Sequence, residues 1–190
     1  MLIPEAIGDS LKELSNFETE IGGGIVLDKK KNKIVKIVIF PSNDRYRITF
    51  DSTKYDIEFH THPVVSKKPD DIRLARIPSP ADISSTFTTG KEEIAFAGGY
   101  VFSISIYDKN LFEKTKKDIR ETYKDKKFDS SYDRYRAYFD DVFDGIRKES
   151  KKLPGSNRVR FITKKWKHKV RKFGVITKRV NLKNEKFNIY

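Results

Sequence analysis

The chain contains no cysteine, and this absence excludes both disulfides and thiolate metal sites. Any bound metal must therefore be held by histidine, aspartate or glutamate. Long hydrophobic runs are missing as well, and the first residues lack the basic start and apolar core of a secretion signal. We therefore expect a soluble, cytoplasmic protein without a membrane partner.

Acidic residues are scarce in one part of the chain only. The net charge is +13, yet residues 1–145 hold 24 Lys and Arg against 25 Asp and Glu. Residues 146–190 hold 16 Lys and Arg against 2 acidic residues. Residues 1–145 are thus close to neutral, and any polyanionic partner is expected to bind the C-terminal segment.

Two regions have the alternation typical of strands. In the first, residues 22–28 and 34–40 flank a Lys-rich turn and predict a hairpin, followed by short strands over 45–50 and 55–62. In the second, EEIAFAGGYVFSISIYD is expected to fold back at Gly98-Gly99.

Helical spacing predicts helices over residues 3–17, from about Ser79, and over 111–152 with a break at 129–131. Residues 63–78 are predicted as loop and 153–157 as a linker. The fold class is therefore α/β, a mixed sheet sandwiched by helices with a basic C-terminal extension. We predict one domain over residues 1–152, with its motifs in 1–108 and its C-terminal helices in 111–152, and an extension over 153–190.

Two of the three histidines, His60 and His62, stand at the end of a predicted strand. Because strand side chains alternate, Glu58, His60 and His62 share one face, and two imidazoles on one face can grip a single ion. Glu58 can orient an imidazole or reach solvent. A His-x-His pair also occurs on strands without any metal, so a purely structural role stays open.

A third ligand is best supplied by Asp82. His168 lies in the basic segment, where a cation would be repelled. In SPAD, a serine, a proline and an acid three residues after the serine form a strong helix start, which presents Ser79 and Asp82 on one turn. The same residues can serve as a capping box alone, and both interpretations stay open.

These parts occur in the order typical of the JAMM (MPN+) metalloproteases: Glu20 in EIGGGI, His60 and His62 in HTHP, and Ser79 and Asp82 in SPAD. The chain resembles that family over roughly residues 1–108. The resemblance implies a helix-sandwiched mixed sheet with cytidine-deaminase-like layering. It also implies that His60, His62 and Asp82 hold zinc, that Glu20 is the general base and that Ser79 hydrogen-bonds the developing oxyanion. Glu18 competes with Glu20 for the role of base.

The resemblance implies a zinc-dependent metallopeptidase or isopeptidase that cleaves an amide bond in a protein substrate, with a ubiquitin-like conjugate as one candidate. The 16 residues between His62 and Ser79 exceed the family's usual spacing and imply an inserted loop at the rim of the cleft. A non-catalytic scaffold of the same fold and a nucleic-acid-associated protein are the alternatives.

The basic segment KKWKHKVRK, residues 164–172, is the densest run of charge. A solvated tail is the simplest interpretation, but the interspersed apolar residues favour a folded extension. Basic residues next to Trp166 and Phe173 suit phosphate contacts and base stacking. Recruitment of an acidic protein and a nuclear-import signal are further alternatives.

Overall fold

The computed structural model describes residues 13, 21–31, 33–41, 54–62, 77–97 and 100–181, and these form a mixed α/β fold. The strands are β1 (Ile21–Asp28), β2 (Lys33–Pro41), β3 (Ile57–Thr61), β4 (Glu93–Ala97), β5 (Tyr100–Ile106) and β6 (Val175–Asn181). The helices are α1 (Pro80–Thr89), α2 (Lys109–Thr122), α3 (Ser131–Glu149) and α4 (Gly155–Arg171), with a 3-10 turn over Ser150–Lys152. The predicted α/β class is confirmed.

The strands form one sheet in the order β2-β1-β3-β4-β5-β6. β1 pairs antiparallel with both β2 and β3, whereas β3 pairs parallel with β4, so the sheet is mixed. The predicted hairpin is confirmed, with a register shift between Val26 and Leu27. The strand predicted over 55–62 is confirmed at its centre.

The helices follow the predicted pattern except near the C terminus. α1 begins after Ser79 as expected, and α2 and α3 account for most of residues 111–152, with a wider break than predicted. The linker predicted over 153–157 is wrong in its second half, because α4 begins at Gly155. The carbonyl of Pro154 accepts from the N–H groups of Asn157 and Arg158 at 3.0 and 3.2 Å and so closes the first turn.

Several predicted features lie outside the described residues: the helix over 3–17 apart from residue 13, which is helical, the strand over 45–50, the turn at Gly98-Gly99, and residues 63–76 of the loop. The domain boundary at residue 152 stays a prediction. No helix among the residues that the structure describes is both long and apolar enough to cross a membrane.

The described residues group into two compact units. The first holds β1 to β4, residues 100–103 of β5 and residues 178–181 of β6. Its buried apolar cluster consists of Ile21, Ile25, Ile34, Ile57, Phe59, Ile94, Phe96 and Val101. Two alternate residues of β3, Ile57 and Phe59, belong to this cluster, so the polar side chains of β3 lie on the opposite face of the sheet.

The second unit holds residues 77–91 and 104–177. Its centre is the fully buried ring of Phe87 on α1. The ring centroids of Phe112, Phe139 and Tyr135 lie 4.3, 4.9 and 5.7 Å from that of Phe87. These aromatic contacts hold α1 against α2 and α3 and give the first turn of α1 a rigid base.

Candidate metal centre

The strand β3 separates an apolar face from a polar one. Ile57 and Phe59 belong to the apolar cluster, as the alternation predicted. Glu58 and His60 occupy the other face, and both side chains are buried. A buried imidazole and a buried carboxylate need partners, since unsatisfied polar groups are costly in a protein interior.

The glycine run of β1 lets this strand lie close against β3. Gly22, Gly23 and Gly24 stand opposite His60, Phe59 and Glu58 in the antiparallel register. A Cβ on Gly23 would overlap the carbonyl oxygen of Val38 and the ring of Phe59, and one on Gly24 would overlap the ring of Tyr55. Gly22 leaves the face of His60 without a side chain from β1.

The partner of His60 is Glu93, the first residue of β4. The Nδ1 atom of His60 lies 2.8 Å from Oε1 of Glu93, and the two residues are 8% and 6% exposed. With Nδ1–H donating to this carboxylate, the lone pair of the neutral ring is on Nε2. The carboxylate thus fixes the tautomer and the orientation that a metal ligand needs.

His62 follows β3 directly and is only partly buried. Its backbone N–H donates to the carbonyl of Phe96 at 2.7 Å, and its ring packs edge-on against Phe102 with centroids 5.3 Å apart. These contacts bring its Nε2 atom to 2.8 Å from Nε2 of His60. Two ligands of one tetrahedral zinc ion are roughly 3.3 Å apart, given bonds of about 2.0–2.1 Å, so the imidazoles need only a small separation to share an ion.

The first turn of α1 is built by a complete capping box. The Ser79 hydroxyl oxygen accepts from the backbone N–H of Asp82 at 3.3 Å, and Oδ2 of Asp82 accepts from the backbone N–H of Ser79 at 2.5 Å. Pro80 occupies the first helical turn, as expected. A carboxylate has about four lone-pair sites, so a role in the cap leaves capacity for a ligand bond.

His60, His62 and Asp82 form a largely buried group that can bind a metal ion. Each offers one ligand atom, and these atoms all lie within 4.8 Å of one another. Two imidazoles and a carboxylate match the three protein ligands of zinc sites that keep a position open for water or substrate. The widest pair would have to close by at most about 1.5 Å to reach tetrahedral spacing.

The remaining predicted residues are placed differently. His168, which the sequence disfavoured as a ligand, is exposed on α4. Glu20 and its competitor Glu18 lie outside the described residues. The general base therefore stays a prediction.

Glu93 is the residue that the sequence left unrecognised. Glu58 is buried rather than solvated, and its Oε1 atom has no hydrogen-bond partner among the described residues, whereas Glu93 holds His60. In the parallel register Glu93 is directly beside Glu58, so both carboxylates share the histidine face. In the sequence, Glu93 alternates with the apolar residues Ile94 and Phe96, which places its side chain on the polar face of a strand. This position points to His60 only once β4 is known to pair with β3.

We expect Glu93→Gln to weaken metal binding by about 10–100-fold, because partners that orient a ligating histidine typically contribute that much. Competition with a chromogenic chelator measures the metal affinity, and ¹⁵N NMR of the His60 ring reports its tautomer. Glu92→Gln is the matched control, since Glu92 is adjacent and exposed. Unchanged affinity in Glu93→Gln would remove Glu93 from any supporting role.

The functional interpretation of this site rests on its geometry, because comparisons with known proteins give no match. No family model, curated protein or solved structure was found to match this chain.

Proposed function

We propose that this chain is a metal-dependent hydrolase of amide bonds, a zinc metallopeptidase or isopeptidase of the JAMM kind. The observation that carries the proposal is the buried group of His60, His62 and Asp82, within which Glu93 orients one imidazole. Two histidines and one carboxylate are a common ligand set of catalytic zinc, whereas structural zinc sites are usually closed by four protein ligands. The proposal includes the finer fold, a mixed sheet sandwiched by helices as in MPN-like proteins.

A divalent metal bound there supplies a Lewis acid that polarises a carbonyl and makes water more acidic. His60, His62 and Asp82 would hold it through two imidazoles and one carboxylate. The buried setting of His60 and Asp82 strengthens the electrostatic attraction between these ligands and the cation. Glu93 would hold His60 in the tautomer whose Nε2 lone pair can bind a metal ion.

Ser79 is suited to stabilise a developing oxyanion. Its hydroxyl oxygen accepts from the backbone N–H of Asp82, so the hydroxyl proton remains to be donated to another acceptor. The cap holds this hydroxyl beside the proposed ligand Asp82. A donor in such a position contributes about 2.7–4 kcal/mol to the transition state in other hydrolases.

Glu20 is the proposed general base. It takes a proton from the attacking water and returns it to the leaving amine, the double role that a carboxylate can perform in amide hydrolysis. The assignment of this role is supported by the glycines that follow Glu20 in sequence, since Gly22 lies directly opposite His60. A protein or peptide substrate, including a ubiquitin-like conjugate, fits this chemistry.

The test is the hydrolysis of peptide and Lys-linked isopeptide substrates by the zinc-loaded protein. We expect turnover that a chelator abolishes and added zinc restores. Glu20→Gln should keep the metal and lose about 10²–10⁴-fold in kcat, because general acid–base catalysis contributes that range. Glu18→Gln is the matched control and should retain turnover.

Three outcomes contradict parts of the proposal. Normal turnover by Glu20→Gln would show that another group is the base. Loss of turnover in Glu18→Gln alone would move the base to Glu18. A protein that binds zinc stoichiometrically and cleaves none of these amide substrates would be a metal-binding scaffold instead.

A further inference from the structure

The helix α4 carries a continuous cationic surface that the proposed hydrolase does not use. We call this surface the basic face. Its exposed residues are Arg160, Lys164, Lys165, Lys167, His168, Lys169 and Arg171. Over residues 147–172 the sequence has twelve Lys and Arg but a single acidic residue, Glu149, which lies 3.7 Å from Lys165. A single exposed ion pair of this kind is weak and leaves the positive potential largely intact.

The opposite face of α4 fixes the helix in the second unit. Val159, Ile162, Trp166 and Val170 recur at helical spacing and are all buried. The indole Nε1–H of Trp166 donates to the carbonyl of Pro78 at 2.7 Å, and its ring packs edge-on against Phe143. The basic face is therefore presented by a docked helix, so binding a partner requires no ordering of the backbone. A helix that binds a membrane surface inserts its apolar face into the lipid. The apolar face of α4 is already buried in the protein, so it is not available for such insertion.

Aromatic side chains do not contribute to the basic face. The prediction that Trp166 stacks on bases is wrong, because Trp166 is only 2% exposed. Phe173 packs against Tyr138 and Phe139, with centroids 5.8 and 5.5 Å apart. Phe161 is partly buried, and Nζ of Lys165 lies 5.5 Å from its ring centroid. Binding of single-stranded nucleic acid depends on base stacking, so what remains on this surface is contact with phosphates.

The charge spacing fits a duplex backbone. The segment from Arg160 to Arg171 rises by roughly 16 Å at 1.5 Å per residue. A duplex carries one negative charge per about 1.7 Å of axis with both strands counted, so this length of duplex has on the order of ten phosphates. Six Lys and Arg side chains on long stems can contact several of these phosphates, and binding through phosphates alone carries no sequence preference.

We propose that the basic face of α4 binds the phosphate backbone of double-stranded nucleic acid without sequence preference. The interaction is independent of the metal group. Binding there would hold the chain, and with it the proposed hydrolytic activity, on a polyanion.

The experiment measures the anisotropy of a labelled DNA duplex of about 20 bp with the full chain, between about 50 and 200 mM NaCl. We expect log K to fall linearly with log salt. The variant Arg160→Gln/Lys164→Gln/Lys167→Gln/Arg171→Gln should lower the salt slope by about 3–4, since each lost phosphate contact removes about 0.9, and should bind at least tenfold more weakly.

The matched control removes the same charge from α2, in Lys109→Gln/Lys114→Gln/Lys117→Gln/Arg120→Gln. These residues are exposed and interspersed with Glu113, Asp118 and Glu121, so we expect near-normal duplex binding. Circular dichroism and thermal unfolding verify that both variants fold. Equal loss in the two variants would show that total charge governs the binding and would overturn the proposal.

The same assay with other polyanions tests whether the surface prefers a duplex. Single-stranded DNA with the same number of phosphates, phosphatidylserine vesicles and poly-glutamate should each bind more weakly than the duplex at equal salt. Tighter binding of any of them would overturn the assignment to a duplex. Normal duplex binding by His60→Ala is expected, so failure of the metal site and failure of the basic face are distinguishable.

Discussion

His60→Ala should bind zinc at least about 100-fold more weakly than the natural chain. Structural zinc sites provide about 10–16 kcal/mol from four ligands, which is on the order of 3 kcal/mol for each. A loss of that size corresponds to about two orders of magnitude in affinity. His60 also carries the contact with Glu93, so its removal leaves a buried carboxylate without the imidazole it faces. We expect His62→Ala to lose a comparable amount.

The measurement is a chelator competition combined with thermal unfolding. Zinc at 100 times its dissociation constant for the natural chain should stabilise that chain by about 2.7 kcal/mol and His60→Ala by no more than about 0.4 kcal/mol. Asp82→Asn removes the ligand charge and keeps an oxygen that can accept from Ser79, so it separates metal binding from helix capping. His168→Ala is the control, because His168 is the third histidine of the chain and is exposed on α4. Equal affinities in His60→Ala and His168→Ala would refute the metal centre.

Trp166→Ala should destabilise the protein by about 3–5 kcal/mol, the usual cost of truncating a large buried aromatic residue. The substitution removes the ring that packs against Phe143 and also the indole donor to the carbonyl of Pro78. That carbonyl directly precedes Ser79, the residue that caps α1. A loss of this size is a large share of the 5–15 kcal/mol that stabilises a typical domain, and for a chain of this length it lowers Tm by roughly 10 °C.

Urea unfolding separates the two contributions of Trp166. Trp166→Phe keeps an aromatic ring but leaves the buried Pro78 carbonyl without its donor, so we expect a smaller loss of about 1–3 kcal/mol. Lys167→Ala, on the exposed side of the same helix, should stay within about 0.5 kcal/mol of the natural chain. A midpoint for Trp166→Ala that matches Lys167→Ala would show that α4 is not docked through this residue.

Local periodicity was sufficient to predict most of the described elements. The hairpin of β1 and β2 and the start of α1 at Ser79 follow from patterns within about ten residues. On α3, the buried Tyr135, Phe139 and Ile146 recur at the helical spacing on which the predicted helix rested. Such features depend on neighbours along the chain, so a single sequence contains them.

The C-terminal segment shows where local preference is misleading. Val159, Phe161 and Ile162 favour a strand by propensity, yet they belong to α4. Burial of Val159, Ile162, Trp166 and Val170 on one side of a helix outweighs the local preference, since most helical stability in proteins comes from packing an apolar face.

The candidate metal site was visible in the sequence only in part. His60, His62 and Asp82 were identifiable because ligand types and a helix start have short signatures. Glu93 was not, because its contact with His60 arises from the parallel pairing of β3 with β4, a long-range arrangement that a single sequence does not encode in a readable form. Similarly, the burial of Trp166 depends on a contact with Pro78, which is distant in sequence and which a single sequence does not reveal.

The double use of Asp82 narrows what evolution can place at this position. A glutamate there would satisfy the helix start equally well, since Glu is the customary partner in a capping box. Its extra methylene would carry the carboxylate away from the two imidazoles. Selection for folding alone therefore tolerates either acid at position 82, whereas selection for metal binding retains aspartate. The residue at this position in a homologue would then indicate whether that homologue still binds the ion.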